Sequence, residues 1–128
     1  MADKLKIFVY GTLKVGGAFA HRFDKFRQST KSGRIKGTMF NIFNSYPGIK
    51  LTGNTDIKGE VHEYTNAEEV EKALDRIEGF IAPGHVNNLY DKKKVLVETE
   101  NGTEECIVYE FARGTEQLTE VHEGEWVI

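Results

Sequence analysis

Apolar residues concentrate in five short runs whose length and composition are typical of β-strands. The first run, LKIFVY at residues 5–10, is apolar on both faces after Lys6, which predicts a central strand covered on two sides. The other runs are rich in branched or aromatic residues, and turn-forming residues bound most of them. They are RIKGTMFNIF at 34–43, DIKGEVHEYT at 56–65, KKKVLVET at 92–99 and EECIVYEF at 104–111. We therefore expect each run to form a strand.

The segment NAEEVEKALDRIEG has the three- and four-residue spacing of an amphipathic helix. The apolar positions that fall on one face are Val70, Ala73, Leu74 and Ile77. The pattern predicts a helix over residues 66–78 that ends at Gly79. A capping box at its start can be formed by Thr65 with Glu68 or by Asn66 with Glu69.

The remaining pattern decides the fold class. A second, weaker helix is indicated over about residues 18–28, where three phenylalanines fall on one side of AFAHRFDKF. Strands that do not alternate regularly with helices predict an α+β protein of about five to seven strands whose sheet is strongly bent or closed into a barrel. No repeat or linker divides residues 1–128, so we expect a single domain. The longest surface loop is expected at 78–90, where residues 81–89 could form a lid.

Composition and charge disfavour several classes of function. Of the 128 residues, 39% are hydrophobic and 29% are charged, which is ordinary for a chain that buries one core. The formal net charge of -3 gives no global positive field to attract nucleic acid or anionic lipid. No long apolar stretch could cross a membrane, and the charged start MADKLKIF is unlike a signal peptide. We therefore expect a cytoplasmic, soluble protein that does not bind nucleic acid or a membrane.

Metal and thiol chemistry have little support, and we expect neither a metal nor a cofactor. Cys106 is the only cysteine, which excludes an internal disulfide, and no basic partner is evident to activate its thiol. The histidines are far apart in sequence and have no i, i+4 pair; they are His21, His62, His85 and His122. The basic run at 92–94 is expected to lie on a solvated strand edge that discourages pairing with another chain.

The turn after the first strand carries a functional signal. VYGTLKVGG, residues 9–17, lacks the lysine and hydroxyl that follow the second glycine of a Walker loop, and its glycines do not have the spacing of a dinucleotide fold. What remains is an exposed turn whose peptide N–H groups at Gly11, Thr12 and Leu13 have no evident ladder partner. Such groups can bind an anion or a developing oxyanion. The alternative is a plain hairpin or helix-entry turn.

Glu78, in LDRIEGF, is the candidate catalytic residue. Counting about 100° per residue from Val70 places Glu78 at the edge of the core-facing stripe, which predicts partial burial. Glu78 also occupies the last helical turn, where the macrodipole disfavours a negative charge. Both effects raise the pKa of a carboxyl group, which favours a base that works near neutral pH. The alternative is that Glu78 points outward and pairs with a lysine.

Several segments together resemble the gamma-glutamylcyclotransferase-like (AIG2-like) superfamily in order and spacing. They are VYGTLK at 9–14, GTMFNIFNSYPGIKL at 37–51, IKGEVHEY at 57–64, LDRIEGF at 74–80, LYDKKKVLV at 89–97, IVYEF at 107–111 and GEW at 124–126. The resemblance runs over nearly the whole chain. It implies a small mixed β-barrel with flanking helices, and an enzyme that cleaves a gamma-glutamyl amide to release 5-oxoproline and an amine or amino acid.

The resemblance also implies roles for individual residues. Glu78 would be the general acid/base, and the substrate would supply its own nucleophile because its α-amine can reach its γ-carbonyl in a five-membered ring. The residues of the substrate-binding turn would be Tyr10, Gly11, Thr12 and Leu13. Tyr90 and Tyr109, in two of the resembling segments, are further candidate site residues.

A rival hypothesis keeps the same cavity without catalysis. On that hypothesis the protein is a binding module for a small anionic metabolite, and Glu78 titrates normally while pointing to solvent. A weaker third hypothesis is an interaction protein that relies on the basic run at 92–94. The leaving amine and the oligomeric state are not predicted by the sequence.

Overall fold

The computed structural model describes residues 4–17 and 19–127, and within them six strands, one α-helix and one 3₁₀ helix. In chain order these elements are β1 (Leu5–Val9), the 3₁₀ helix (Ala20–Phe26), β2 (Arg27–Ile42), β3 (Tyr46–Tyr64), α1 (Ala67–Ile77), β4 (Tyr90–Thr99), β5 (Gly102–Phe111) and β6 (Thr119–Glu120). The predicted α+β class is confirmed. All the predicted strands are present, and only the two-residue β6 had no signal in the sequence.

The strands form one sheet that closes on itself. Their order is β3-β1-β5-β4-β2-β6, and β2 also pairs with β3, so all strands except β6 make a hydrogen-bonded ring. The sheet is mixed, because β1 runs antiparallel to β3 and parallel to β5. This arrangement confirms the prediction of a strongly bent, mixed sheet.

β2 and β3 are longer than their apolar runs predicted, with 16 and 19 residues. The polar stretch that opens β2 has no strand periodicity, yet it pairs with β3 from Arg27↔Tyr64 to Gly37↔Thr55. A register shift between Gly37 and Thr38 marks an irregularity at which the long hairpin can bend. Backbone pairing with β3, which no local pattern reports, therefore extends β2.

β1 is the buried centre of the fold, as its two-sided apolar pattern predicted. Successive side chains of a strand point to opposite faces. Leu5, Ile7 and Val9 accordingly lie in one core cluster with residues of α1. Phe8 belongs to a second core cluster on the other face of the strand. Because β1 is covered on both sides, the turn that follows it starts from a rigid support.

Helix α1 matches the predicted helix over 66–78 to within one residue at each end, but its start differs from the prediction. Asn66 is the N-cap residue with a left-handed backbone, φ 54°, and its side chain makes no capping hydrogen bond. Its amide group donates instead to the Glu69 carboxylate at 3.4 Å. A capping box needs an N-cap residue in the β region, so the predicted box does not form.

The weaker helix predicted over about 18–28 is a 3₁₀ helix, Ala20–Phe26, and Ala18 lies outside the described residues. Phe23 is buried and meets the ring of Tyr64 edge-on, with centroids 6.0 Å apart. Phe23 and Phe26 are three residues apart, a spacing that falls on one face of a helix with three residues per turn. Neither this helix nor α1 is long and apolar enough to cross a membrane, and these are the helices of the described residues.

β4 corrects the expectation that the basic run at 92–94 lies on a solvated edge. The strand pairs with β5 along its length and with β2 at one end. Lys92 is partly buried and donates to the carboxylates of Glu71 at 2.6 Å and Asp75 at 3.1 Å, both on α1. Lys93 and Lys94 are exposed as predicted. The first lysine of the run therefore attaches the helix to the sheet.

Candidate active site

The turn at residues 10–13 and Glu78 meet in one cavity. Residues 8–13, Glu78 and Tyr109 line it, and its volume is about 30 Å³. That volume has room for roughly one or two water molecules. Tyr90, the other tyrosine singled out from the sequence, does not line this cavity. The two features that the sequence pointed to separately are therefore neighbours in space.

Close contact with Pro47 shapes the turn. A Cβ atom on Gly11 would lie 2.6 Å from Cγ of Pro47, so only glycine fits at this position. The N–H of Lys14 closes the turn by donating to the Gly11 carbonyl at 3.0 Å. No described residue accepts a hydrogen bond from the peptide N–H groups of residues 11–13. These groups can therefore donate to an anion beside the cavity.

A Schellman motif holds Glu78 at the C-cap of α1. Gly79 has a left-handed backbone, φ 64°, as expected for the residue that ends the helix. Its N–H donates to the Arg76 carbonyl at 3.3 Å, and the N–H of Phe80 donates to the Asp75 carbonyl at 2.8 Å. These two bonds are the pattern that defines the motif. The backbone of the helix end therefore fixes the position of Glu78, and its side chain is not needed to cap the helix.

The carboxyl group of Glu78 is desolvated without compensation. The residue is partly buried, and this burial raises the pKa of its carboxyl group to about 7. Its side chain forms no hydrogen bond or ion pair with any described residue, including the lysines considered as partners. A lone carboxyl group in such surroundings prefers to be neutral, so desolvation accounts for the direction of the shift.

Three tyrosines surround Glu78, yet none of them donates to it. Burial is the main cause that raises the pKa values of Tyr10, Tyr90 and Tyr109, and the negative charge of Glu78 adds to the rise. Their hydroxyl groups donate at 2.6 Å to the Tyr109 carbonyl, the Pro47 carbonyl and the Asp75 carboxylate, respectively. Because each hydroxyl is already committed, Glu78 gains no hydrogen bond that would lower its pKa.

Comparison with known proteins agrees with the resemblance seen in the sequence. A profile of the family described as gamma-glutamyl cyclotransferase, AIG2-like, matches residues 7–128. The chain belongs to this family. It is also 31% identical over 107 residues to gamma-L-glutamyl-butirosin B gamma-glutamyl cyclotransferase of Niallia circulans, a match that covers 84% of this chain and 67% of that protein. Membership supports an enzyme of the gamma-glutamyl cyclotransferase type and leaves its substrate unspecified.

Solved structures share the fold of this gamma-glutamyl cyclotransferase family member. YkqA from Bacillus subtilis superposes with a TM-score of 0.71 at 26% identity, over 96% of this chain and 39% of YkqA. The chain thus spans about two fifths of the length of YkqA. An AIG2-like protein from Mus musculus superposes with a TM-score of 0.68 at 19% identity, over 95% of this chain and 88% of that protein. At that identity the likeness shows the fold alone.

Three residues that support this site were not found from the sequence: Pro47, Asp75 and Lys92. Pro47 touches Gly11 with its ring and accepts from Tyr90 with its carbonyl. Asp75 accepts from both Tyr109 and Lys92, so it ties α1 to two strands. Each contact joins elements that are distant in the chain, and no periodicity or motif reports such contacts. Tyr90, outside the cavity, contributes by holding Pro47.

The loop at 81–89, expected as a lid, does not line the cavity. The buried Asn88 fastens it: the side-chain oxygen accepts from the Ile81 N–H at 2.6 Å, and the amide donates to the Ala82 carbonyl at 2.7 Å and to Asp91 at 2.8 Å. These bonds close the loop on itself and on the start of β4. The loop therefore lies beside the site without covering it.

The other chemistry-bearing side chains do not form a second centre among the described residues. No group of His, Cys, Asp and Glu side chains there is arranged to hold a metal ion. Cys106 is buried, and burial is the main cause that raises its thiol pKa to about 11. A thiol in that state is a poor nucleophile near neutral pH.

Proposed function

We propose that this protein is a gamma-glutamyl cyclotransferase that cleaves a gamma-glutamyl amide by intramolecular aminolysis, with Glu78 as general acid/base. One observation carries the proposal: Glu78, whose burial raises its carboxyl pKa to about 7, lines the same cavity as a turn whose backbone N–H groups are unpaired among the described residues. Family membership and the relative from Niallia circulans support the reaction type.

The reaction needs no nucleophile from the protein. Glu78 takes a proton from the α-ammonium group of the substrate, and the freed amine attacks the γ-carbonyl carbon to close a five-membered ring. The tetrahedral intermediate then breaks its bond to the leaving nitrogen. Glu78 transfers two of the three ammonium protons, one at a time, to the departing amine. The third proton stays on the lactam nitrogen of 5-oxoproline.

Two physical effects support this division of labour. A base is efficient when its pKa lies near the working pH, and a value of about 7 meets that condition for Glu78. Holding the substrate in a folded conformation contributes more, since well-oriented intramolecular reactions reach effective molarities of about 10⁵ M or above. The protein then has to bind one conformer of the substrate and move protons.

The turn at residues 10–13 would hold the negative charge. Its free N–H groups would bind the α-carboxylate of the substrate or the oxyanion of the tetrahedral intermediate. Fixed backbone donors stabilise such a charge without reorganising during the reaction. A gamma-glutamyl group is larger than the cavity of about 30 Å³, so we expect the turn and Glu78 to move apart when substrate binds.

The proposal is tested by incubating the protein with a panel of gamma-glutamyl amines and peptides and measuring 5-oxoproline. Glu78→Gln should fold normally and lower kcat by about 10² to 10⁴, the usual contribution of a general acid/base. Glu68→Gln is the matched control, because it makes the same change on α1 at an exposed residue that pairs with Lys72.

Two results would overturn the proposal. One is a folded wild-type protein that releases no 5-oxoproline from any member of the panel. The other is a Glu78→Gln variant as active as wild type. A protein that binds an anion such as L-glutamate but never turns over would support the binding module instead.

A further inference from the structure

A row of three polar side chains lies on β3, next to the turn but outside the cavity. Glu60, His62 and Tyr64 alternate along the strand and so project from the same face. Nδ1 of His62 lies 2.7 Å from the Tyr64 hydroxyl, and Nε2 lies 2.8 Å from Oε1 of Glu60. His62 and Tyr64 are both 0% exposed. Polar groups as deeply buried as His62 and Tyr64 are costly unless they are paired, so the bonds of His62 have to stay intact. Glu60 is only partly buried, with 25% of its side chain exposed.

The chemistry of the partners fixes the direction of each bond in the row. An ionised carboxylate can only accept, so Nε2–H of His62 donates to Glu60. Nδ1 of the neutral imidazole must then accept, and the Tyr64 hydroxyl donates to it. Burial lowers the pKa of His62, which favours this neutral form. Glu60 is thus oriented by a chain of bonds that starts in the core.

Glu60 connects this row to the turn. Its Oε1 atom also accepts the N–H of Val15 at 2.9 Å. Val15 is 50% exposed, so packing of its own side chain does not anchor the backbone at this position. The bond to Glu60 ties the segment that follows residues 10–13 to the long strand β3.

We propose that Glu60 is a positioning residue for the active site, held in place by His62 and Tyr64, and that it sets the orientation of the N–H groups at residues 11–13 through Val15. This inference rests on the proposed function, because it assumes that those N–H groups bind the charge of the substrate. None of the three side chains lines the cavity, so none of them touches the reacting atoms. Their contribution is to keep the donors aimed at one place.

The experiment compares Glu60→Ala with Glu60→Gln. The amide oxygen of Gln can still accept the Val15 N–H, whereas Ala removes the acceptor. A hydrogen bond to a charged group contributes enough free energy that Glu60→Ala, which loses it, should lower kcat/KM by about tenfold. Glu60→Gln should stay within about threefold of wild type. Glu98→Ala is the matched control, since it removes a carboxylate on β4 that pairs with Arg34 and does not contact the turn.

A second readout does not depend on activity. Amide hydrogen exchange followed by NMR should be about tenfold faster at Val15 in Glu60→Ala than in wild type, with Glu60→Gln close to wild type. The amides of β1 should keep their protection in all three proteins. A merely stabilising role for Glu60 would instead lower protection throughout the molecule and leave kcat/KM of the folded fraction unchanged.

The outcomes separate this inference from the proposed function. If wild type releases 5-oxoproline and Glu60→Ala matches it in kcat/KM, the positioning role is wrong while the activity stands. If wild type is inactive with every gamma-glutamyl compound, the proposed function fails first. If the Val15 amide of Glu60→Ala exchanges as slowly as that of wild type, the bond from Val15 to Glu60 does not hold the segment in place, whatever the activity.

Discussion

At the scale of single residues, the unusual feature of this protein is a partly buried carboxyl group that has no hydrogen-bond donor or cation among the described residues as a partner. Glu78 is desolvated, and the nearby hydroxyls of Tyr10, Tyr90 and Tyr109 all donate elsewhere. One donated bond would lower the pKa of Glu78 and weaken it in its proposed role as a base. Because no described residue donates such a bond, the pKa of Glu78 stays at about 7.

The pH dependence of activity follows from that state. If Glu78 is the base, as proposed, it must be ionised, so kcat/KM should rise with pH by about tenfold per unit below its pKa of about 7 and then level off. The measurement is a pH–rate profile with one gamma-glutamyl substrate at subsaturating concentration. A profile with its lower limb near pH 4.5 would mean that Glu78 is solvated during the reaction.

Stability should change with pH in the same window. The folded-state pKa of Glu78 is raised above its ordinary value of 4.5, so the folded protein retains a proton that the unfolded chain has lost. Folding stability should therefore fall by about 3 kcal/mol as pH rises from about 4.5 through about 7. Glu78→Gln removes this loss. Urea unfolding of both proteins at pH 4.5 and pH 8 measures the difference, and parallel curves would contradict the raised pKa.

At the scale of elements, the end of helix α1 is attached to two strands through one carboxylate. Asp75 accepts from Tyr109 of β5 at 2.6 Å and from Lys92 of β4 at 3.1 Å. The carbonyl of Tyr109 accepts in turn from the Tyr10 hydroxyl. Tyr109 therefore connects the helix that carries Glu78 with the turn that follows β1.

Removing that hydroxyl should weaken the fold more than the chemistry. Tyr109→Phe should lower the free energy of unfolding by about 1–2 kcal/mol, because Asp75 loses a buried donor. The hydroxyl is committed to Asp75 and is not available to substrate, so kcat/KM should stay within about threefold of wild type. Tyr46→Phe is the matched control, since the Tyr46 hydroxyl bonds to no described residue. A larger loss in kcat with unchanged stability would assign Tyr109 a direct part in the reaction.

At the scale of the whole molecule, Glu104 joins strands on different parts of the ring. It accepts from Lys6 of β1 at 3.0 Å and from Lys31 of β2 at 2.6 Å. Hydrogen bonds from Lys31 and then Lys6 lower its pKa to about 2. The sign is opposite to that of Glu78, because here the folded state favours the ionised form.

The resulting stabilisation should disappear in acid. It is fully present above the ordinary Glu pKa of 4.5 and is lost as pH falls from there through about 2. Glu104→Gln should cost about 1 kcal/mol at pH 6, since 41% of the Lys6 side chain is exposed and solvent screening weakens its pair with Glu104. At pH 2 the variant and wild type should unfold at nearly the same urea concentration. A cost that does not depend on pH would mean that Glu104 acts through packing.

Local patterns were sufficient for much of this molecule. The two-sided apolar run at 5–10 determined a buried β1, and the spacing from Val70 to Ile77 with Gly79 after it determined α1. These predictions succeed because burial and helix termination act on residues that are close in the chain. The resemblance to the gamma-glutamyl cyclotransferase family was also carried by short segments, and the profile match confirms it.

Tertiary structure decided what surrounds those elements. Pairing with β3 extended β2 through a polar stretch, and the same ring brought Lys92 inward although its neighbours are solvated. The unusual pKa of Glu78 also needed the folded chain, because it depends on tyrosines from three segments that all donate to other groups. Which face of a helix is buried follows from the spacing of its own apolar residues, so the sequence indicates it. Hydrogen-bond partners come from anywhere in the chain, so only the closed sheet determines which groups are left without one.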